Sequence, residues 1–89
     1  MIITIDFRGV RSHSQAHDLL AERLSVPHYY GRNLNALYDV LTERSEPTEI
    51  HIFSRRELLE ELGDYGAGIL EVFRDAAREN PALIVLAEL

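Results

Sequence analysis

The 89-residue sequence contains no cysteine and no lysine. Without cysteine the chain forms neither a disulfide nor a thiolate metal site, which makes the cytoplasm its natural compartment. It also has no apolar run long enough to cross a bilayer, and its first residues alternate like a strand instead of resembling a signal peptide. We therefore expect a cytoplasmic protein that does not insert into a membrane.

The usual signatures of catalysis are missing as well. There is no glycine-flanked serine, and the glycines of the C-terminal half lack the lysine and the preceding strand of a phosphate loop. His13 and His17 stand four residues apart without the glutamate of a zinc protease, so we interpret this pair as solvated or as capping a helix. An acid–base pair of His28 and Asp39 is the catalytic alternative, but nothing in the spacing brings the two together. The sequence predicts a protein that is not an enzyme and uses no cofactor or metal.

The charge balance favours a protein partner over a nucleic acid. Fifteen acidic residues oppose nine basic residues, all of them arginine, which gives a net charge of −6. Such a surface repels phosphate backbones and attracts basic proteins, because opposite electrostatic fields accelerate their encounter. We expect a basic protein partner and no direct binding to nucleic acid.

Periodic apolar residues predict three strands and about four helices, within a single domain that spans residues 1–89. The strands are predicted at residues 1–7, 48–53 and 83–86. Two helices separate each strand from the next, so the strands should be parallel and joined by helical crossovers. The first two strands alternate in polarity, which is typical of a two-layer α/β fold with one partly solvated sheet face.

Capping signals predict where these helices begin and end. Ser12 or Ser14 should begin the first helix. Ser54 should cap a short third helix that ends at Gly63. Pro81 should stop the fourth helix, because proline cannot continue a helix beyond its first turn.

The second predicted helix combines a buried face with an acidic one. Asn33 is a good N-cap for a helix that continues to about Glu43. The apolar stripe is Leu34, Leu37 and Leu41, the polar stripe is Asn35, Asp39 and Thr42, and Tyr38 lies between them. Asp39 and Glu43 lie in the C-terminal half, where the helix macrodipole opposes negative charge. Such a broken local rule is expected at functional sites, although an ordinary solvated face has the same pattern.

An ordered run of residues between Val26 and Glu46 matches a known family. The matching positions are Pro27, Tyr29, Tyr30, Gly31, Asn33, Leu34, Ala36, Leu37, Tyr38, Asp39, Leu41 and Thr42. This run resembles helix two of the barstar family, the intracellular protein inhibitors of secreted bacterial ribonucleases. The resemblance covers most of the chain and implies a two-layer barstar-like fold, with a three-stranded parallel sheet covered by about four helices.

The resemblance also implies roles for particular side chains. The residue matching Asp39 is the family's central anionic contact, which takes the place of an RNA phosphate among the cationic groups of a ribonuclease. Asp75 matches a second acidic contact, or pairs with Arg74 or Arg78 as an ordinary surface acid. The aromatic rings beside Asp39 would exclude water from the charge pair or simply pack. The expected partner-binding residues are Tyr29, Gly31, Asn33, Leu34, Asn35, Tyr38, Asp39, Thr42, Glu43, Arg44 and Asp75.

Several positions depart from the family pattern. Asn35 stands where the family carries an acid, and Tyr38 and Arg44 replace tryptophans. Arg32 and Arg44 add positive charge beside the proposed anionic contact. We predict a one-to-one inhibitor of a basic ribonuclease, barnase-like or another basic toxin. The alternative is an interaction or antitoxin module of the same fold with a basic partner that is not a ribonuclease.

Overall fold

The computed structural model describes residues 1–26 and 30–87. Its sheet contains three strands: β1 (Ile2–Asp6), β2 (Thr48–Phe53) and β3 (Leu83–Ala87). The strand order is β1-β2-β3, and both neighbouring pairs are parallel. The predicted three-stranded parallel sheet is therefore confirmed.

The alternation along the strands determines which sheet face carries the core. β1 buries Ile3 and Ile5, and their register partners Ile50 and Ile52 on β2 are also buried. Side chains on the other face are half-buried on β2 and exposed on the outer strands, where Ile84 on β3 is 56% exposed. The sheet thus has one packed face and one partly solvated face, as the alternation predicts.

Three helices occur in the described part of the chain: α1 (His13–Leu24), α2 (Leu34–Thr42) and α3 (Arg55–Glu79). The prediction of about four helices is wrong by one, because the predicted third and fourth helices form one element. Gly63 kinks α3 with φ 53° and ψ −127°, a backbone conformation that glycine adopts without a steric penalty. The predicted end of the third helix is therefore a kink, beyond which the helix resumes.

The predicted serine caps have different outcomes. Ser12 begins α1, and its Oγ accepts a hydrogen bond from the Gln15 N–H at 3.1 Å. Ser54 precedes α3 but makes no side-chain cap, so this prediction is wrong. Its Oγ instead donates to the Asp6 carboxylate at 2.6 Å, which binds the start of α3 to the end of β1. This bond, helped by the Arg8 N–H, holds the pKa of Asp6 below its ordinary value.

One hydrophobic core joins the sheet to all three helices, and burying it removes apolar surface from water. Its largest fully buried apolar side chains are Phe7, Phe73, Ile5, Leu20, Leu37, Leu41, Ile50, Ile52, Leu58 and Ile69. None of the described helices has the length and apolar character needed to cross a membrane.

Candidate partner-binding surface

The start of α2 is fixed by bonds within its own first turn. Asn33 is extended, and its Oδ1 accepts a hydrogen bond from the Ala36 N–H at 2.8 Å, which confirms the predicted N-cap. The Asn33 Nδ2 donates to the Gly31 carbonyl at 3.2 Å. Arg32 lies between them with φ 55°, a left-handed conformation. The chain therefore enters α2 through a defined turn.

The end of α2 is fixed by a residue from the turn between α3 and β3. Asn80 is buried, and its Nδ2 donates to the carbonyls of Leu41 at 2.9 Å and Arg44 at 2.7 Å, with Thr42 at 3.4 Å. Its Oδ1 accepts from the Ala82 N–H at 3.0 Å. The last carbonyls of a helix have no partner within the helix, and Asn80 supplies one. It thereby joins α2 to the α3–β3 turn.

The outward face of α2 carries a carboxylate that has no bonding partner among the described residues. Leu37 and Leu41 are fully buried, whereas Asn35 and Asp39 are exposed one turn apart. Asp39 makes no side-chain hydrogen bond or ion pair with any residue in the ranges 1–26 and 30–87. Tyr38, the preceding residue, is half-buried and packs against the core. The Asp39 charge is therefore not neutralised within the described structure.

A surface groove of about 470 Å³ lies between α2 and α3. It brings together four of the predicted partner-binding residues with three others, and its lining is Leu34, Asn35, Tyr38, Val72, Asp75, Arg78 and Glu79. Asp39 follows Tyr38 in the chain but does not line the groove. Leu34, Asn35 and Tyr38 on α2 thus share one surface with the predicted acid on α3.

Asp75 has an ion-pair partner within the protein. Its carboxylate lies 2.7 Å from Nη2 of Arg78, one turn further along α3. Both side chains are largely open to solvent, with 47% of Asp75 and 69% of Arg78 exposed, so the pair adds little stability. The pair offsets the charge that Asp75 presents, and pairing with Arg78 is the surface alternative that the sequence indicates for this acid. Its contact with a partner stays a prediction.

The two arginines that flank α2 bond to other elements. Arg32 donates through Nη2 to the Asp18 carboxylate at 2.7 Å and to the Ser14 carbonyl at 3.0 Å, both on α1. Arg44 donates through Nε to the Thr48 hydroxyl at 2.8 Å, where β2 begins. Neither guanidinium bonds to an acid on α2. Both arginines thus connect the ends of α2 to neighbouring elements, and the contact of Arg44 with a partner stays a prediction.

The remaining predicted positions differ in their surroundings. The Thr42 hydroxyl donates to the Tyr38 carbonyl at 2.8 Å, so it already has a partner within the helix. Glu43 is exposed at the C-cap of α2. Tyr29 and His28 lie outside the described residues, so both the aromatic neighbour of Asp39 and the pair of His28 with Asp39 stay untested.

A buried histidine was not expected from the sequence. His17 is 2% exposed, so its interpretation as a solvated residue is wrong. Its Nδ1 lies 2.7 Å from the hydroxyl of Tyr30, and its Nε2 lies 2.6 Å from the hydroxyl of Tyr65. Its spacing from Leu20 and Leu24 does place it on the apolar stripe of α1, which is the signal that could have revealed its burial.

The fold and the surface define a small α/β domain that presents the exposed face of a helix. Residues 1–86 match the family model described as Barstar (barnase inhibitor). The chain is also 37% identical over 78 residues, covering 86% of each protein, to a Bacillus subtilis (strain 168) protein named "Putative ribonuclease inhibitor YrdF". The chain belongs to the barstar family. Proteins of this family are inhibitors and not enzymes, in agreement with the sequence.

Proposed function

We propose that this protein inhibits a basic bacterial ribonuclease, one inhibitor per enzyme, by covering the active site with the outward face of α2. Membership of a family described as barnase inhibitors supports the class of target, as does the name of the Bacillus subtilis relative. The observation that carries the mechanism is the Asp39 carboxylate. It is exposed on α2 and has no intramolecular partner in the described ranges.

The proposed mechanism is mimicry of a phosphate by this carboxylate. A ribonuclease gathers cationic side chains around the scissile phosphate, and these donate strong charge-assisted hydrogen bonds to a carboxylate in the same place. Asn33 and Asn80 fix the two ends of α2, so little conformational entropy is lost when the helix docks. Tyr38, beside Asp39, would help to exclude water from the buried charge pair.

The net charge of −6 supports a basic target and a rapid encounter. We propose that the inhibitor acts in the cytoplasm, where it would protect the cell from the nuclease as an antitoxin. Steering by opposite charge is screened by salt, so the association rate should fall as ionic strength rises. An association rate that stays constant between low and high salt would contradict electrostatic steering and leave the contact surface unaffected.

A basic partner other than a ribonuclease is the second candidate. The observation that favours it is the reduced negative charge of the α2–α3 groove, because Asn35 is neutral and Asp75 is paired with Arg78. A partner with fewer cationic groups at its rim would fit this surface as well as a ribonuclease does. Such a protein would be an interaction module or antitoxin of the same fold.

The test compares two variants that each remove one exposed acid. Asp39→Ala removes the proposed phosphate mimic, and Asp64→Ala removes an acid of α3 that lies outside the groove. Both variants change the net charge equally. A loss of binding that they share therefore measures electrostatic steering, and a difference in binding between them measures the direct contact of Asp39. Each protein is used to capture partners from the lysate and culture medium of the source organism, and each is titrated against barnase while RNA cleavage is followed.

Three outcomes separate the candidates. Inhibition at a one-to-one ratio by the wild type and by Asp64→Ala, but not by Asp39→Ala, supports both the target and the mechanism. Equal inhibition by all three proteins refutes the phosphate mimic while retaining the ribonuclease as target. Capture of a basic partner without nuclease activity, together with no effect on barnase, favours the second candidate.

A further inference from the structure

The buried His17 joins three separate parts of the chain. It lies on α1, it contacts Tyr65 on α3, and it contacts Tyr30 in the segment that leads into α2. His13, one turn earlier on α1, stacks on the Tyr65 ring with centroids 3.7 Å apart. No other described histidine is as deeply buried or bonds to two side-chain hydroxyls. The proposed function makes no use of this cluster.

The two contacts are compatible with a neutral ring. A neutral imidazole has one N–H donor and one acceptor nitrogen, so His17 donates to one tyrosine hydroxyl and accepts from the other. The hydroxyls remain protonated at neutral pH, because burial raises the pKa of Tyr30 to about 12 and also raises that of Tyr65. Each ring nitrogen therefore has a hydroxyl partner while the ring is neutral.

Segment 30–33 depends on this arrangement for its position. Tyr30, at its start, bonds to His17, and Arg32 bonds to Asp18 and Ser14 of the same helix. Asn33, at its end, is the N-cap of α2. The contacts with α1 thus set where α2 begins, and with it the face that carries the proposed contact surface.

A charge on His17 would have little compensation. Burial lowers the pKa of the His17 imidazole, the nearby Arg32 and His13 charges lower it further, and only Asp18 acts in the opposite direction. Asp18 is already paired with Arg32 at 2.7 Å. Among the described residues that face the ring from α1, α3 and segment 30–33, the remaining titratable groups are the two neutral tyrosines. A protonated ring could donate to both hydroxyls, but no free carboxylate among these residues offsets its buried charge, so opening the segment to water favours the protonated form.

We propose that His17 is a positioning residue for the contact surface of α2: its neutral ring holds segment 30–33 closed through Tyr30 and Tyr65, and its protonation opens the segment and weakens partner binding. This inference rests on the proposed function for the identity of the surface, but the conformational step belongs to the free protein. The partner is therefore not needed to test that step.

The direction of the pH effect follows from linkage. A histidine whose pKa is lowered by folding stabilises the closed state at pH values above the ordinary histidine pKa of about 6.5. This stabilisation is lost as the pH falls below that value. One proton is taken up when the segment opens. Affinity for a partner should therefore fall by up to about tenfold per pH unit once the open, protonated form dominates.

The first experiment measures the free protein by amide hydrogen exchange between about pH 8 and pH 5, expressed as protection factors. The reporters are the amides of Ala36 and Leu37, which donate to Asn33. Their protection should fall with pH in the wild type, while that of Ala16, at the start of α1, stays constant. In His17→Gln, whose amide keeps a donor and an acceptor without titrating, protection should be independent of pH. Constant reporter protection in the wild type would overturn the proposal.

The second experiment measures binding of barnase across the same pH range. Because barnase titrates too, the informative quantity is the ratio of wild-type to variant affinity. His51→Gln, on β2 and outside this cluster, is the control and should retain the wild-type profile, whereas His17→Gln should lose it. Identical profiles for His17→Gln and the wild type would refute the proposal.

If His17→Gln does not fold, Tyr30→Phe should show lowered reporter protection at every pH, and unchanged protection refutes the proposal. Absence of barnase binding at all pH values would count against the proposed target, and the exchange data would still decide the role of His17.

Discussion

Replacing Asn80 by alanine should destabilise the protein strongly, although the residue lies outside the proposed contact surface. The side chain makes three well-formed hydrogen bonds, of 2.9 Å to Leu41, 2.7 Å to Arg44 and 3.0 Å from Ala82. At about 1 kcal/mol net for each bond, Asn80→Ala should cost about 3 kcal/mol, and more if the buried carbonyls find no water. A domain of this size has roughly 5–13 kcal/mol of total stability, so the loss is a large fraction of it.

The assay is thermal and urea unfolding followed by circular dichroism. For a domain of this length the loss corresponds to a decrease in Tm of roughly 12–24 °C. Asn80→Asp keeps the acceptor for the Ala82 N–H but directs a carboxylate at the last carbonyls of α2, so it should be at least as destabilising at neutral pH. Asn35→Ala removes an exposed asparagine from α2 and should change stability by less than about 0.5 kcal/mol.

The two asparagine variants together test the reasoning. A loss below about 1 kcal/mol in Asn80→Ala would show that the carbonyls of α2 are satisfied without the side chain. A stable Asn80→Asp at neutral pH would show that the amide is not acting as a donor there. Either result would refute the view that Asn80 fixes the end of α2, the proposed contact helix.

Three further changes test other parts of the structure. Gly66→Ala should destabilise by about 1–3 kcal/mol in urea unfolding, because the added Cβ would lie 2.7 Å from the Leu58 carbonyl oxygen. Ser54→Ala removes the main cause of the lowered Asp6 pKa, so it should lower Tm at neutral pH, and the difference from the wild type should vanish well below about pH 4. Asp39→Ala should leave the Tm of the free protein unchanged or slightly raised, since alanine favours helix and a charge opposed by the macrodipole is removed; a marked decrease would make Asp39 structural.

Short-range patterns were sufficient to predict the sheet and the contact helix. The alternation over Thr48–Phe53 gives the bounds of β2 without error, because one face of the strand is buried and the other is not. The cap at Asn33 was also predictable, since its bond to the Ala36 N–H spans only three residues. The exposed position of Asp39 followed from its helical spacing relative to Leu37 and Leu41.

Apart from the helix count, which depends on the kink at Gly63, the errors concern groups whose partners lie far away in the chain. Ser54 has the local pattern of a cap, but its hydroxyl bonds to Asp6, 48 residues earlier. No local pattern marks Asn80, which stands beside the helix-stopping Pro81, and the carbonyls that it binds lie 36 to 39 residues earlier. His17 could be placed on an apolar stripe, but not between two tyrosine hydroxyls. Sequence periodicity carries no information about such pairings, because it reports burial and not partners.

The contact helix separates the groups that stabilise it from the groups proposed to bind. Its acids, Asp39 and Glu43, stand where the macrodipole disfavours them, and a helix that relied on its own charges would fray there. Asn80 instead satisfies the last carbonyls from outside the helix, and Asn33 satisfies the first amides. The fold therefore does not need favourable charge on the exposed face of α2. If α2 binds a partner as proposed, its exposed face can carry an acid that serves binding alone, and a change of target would need changes only on that face.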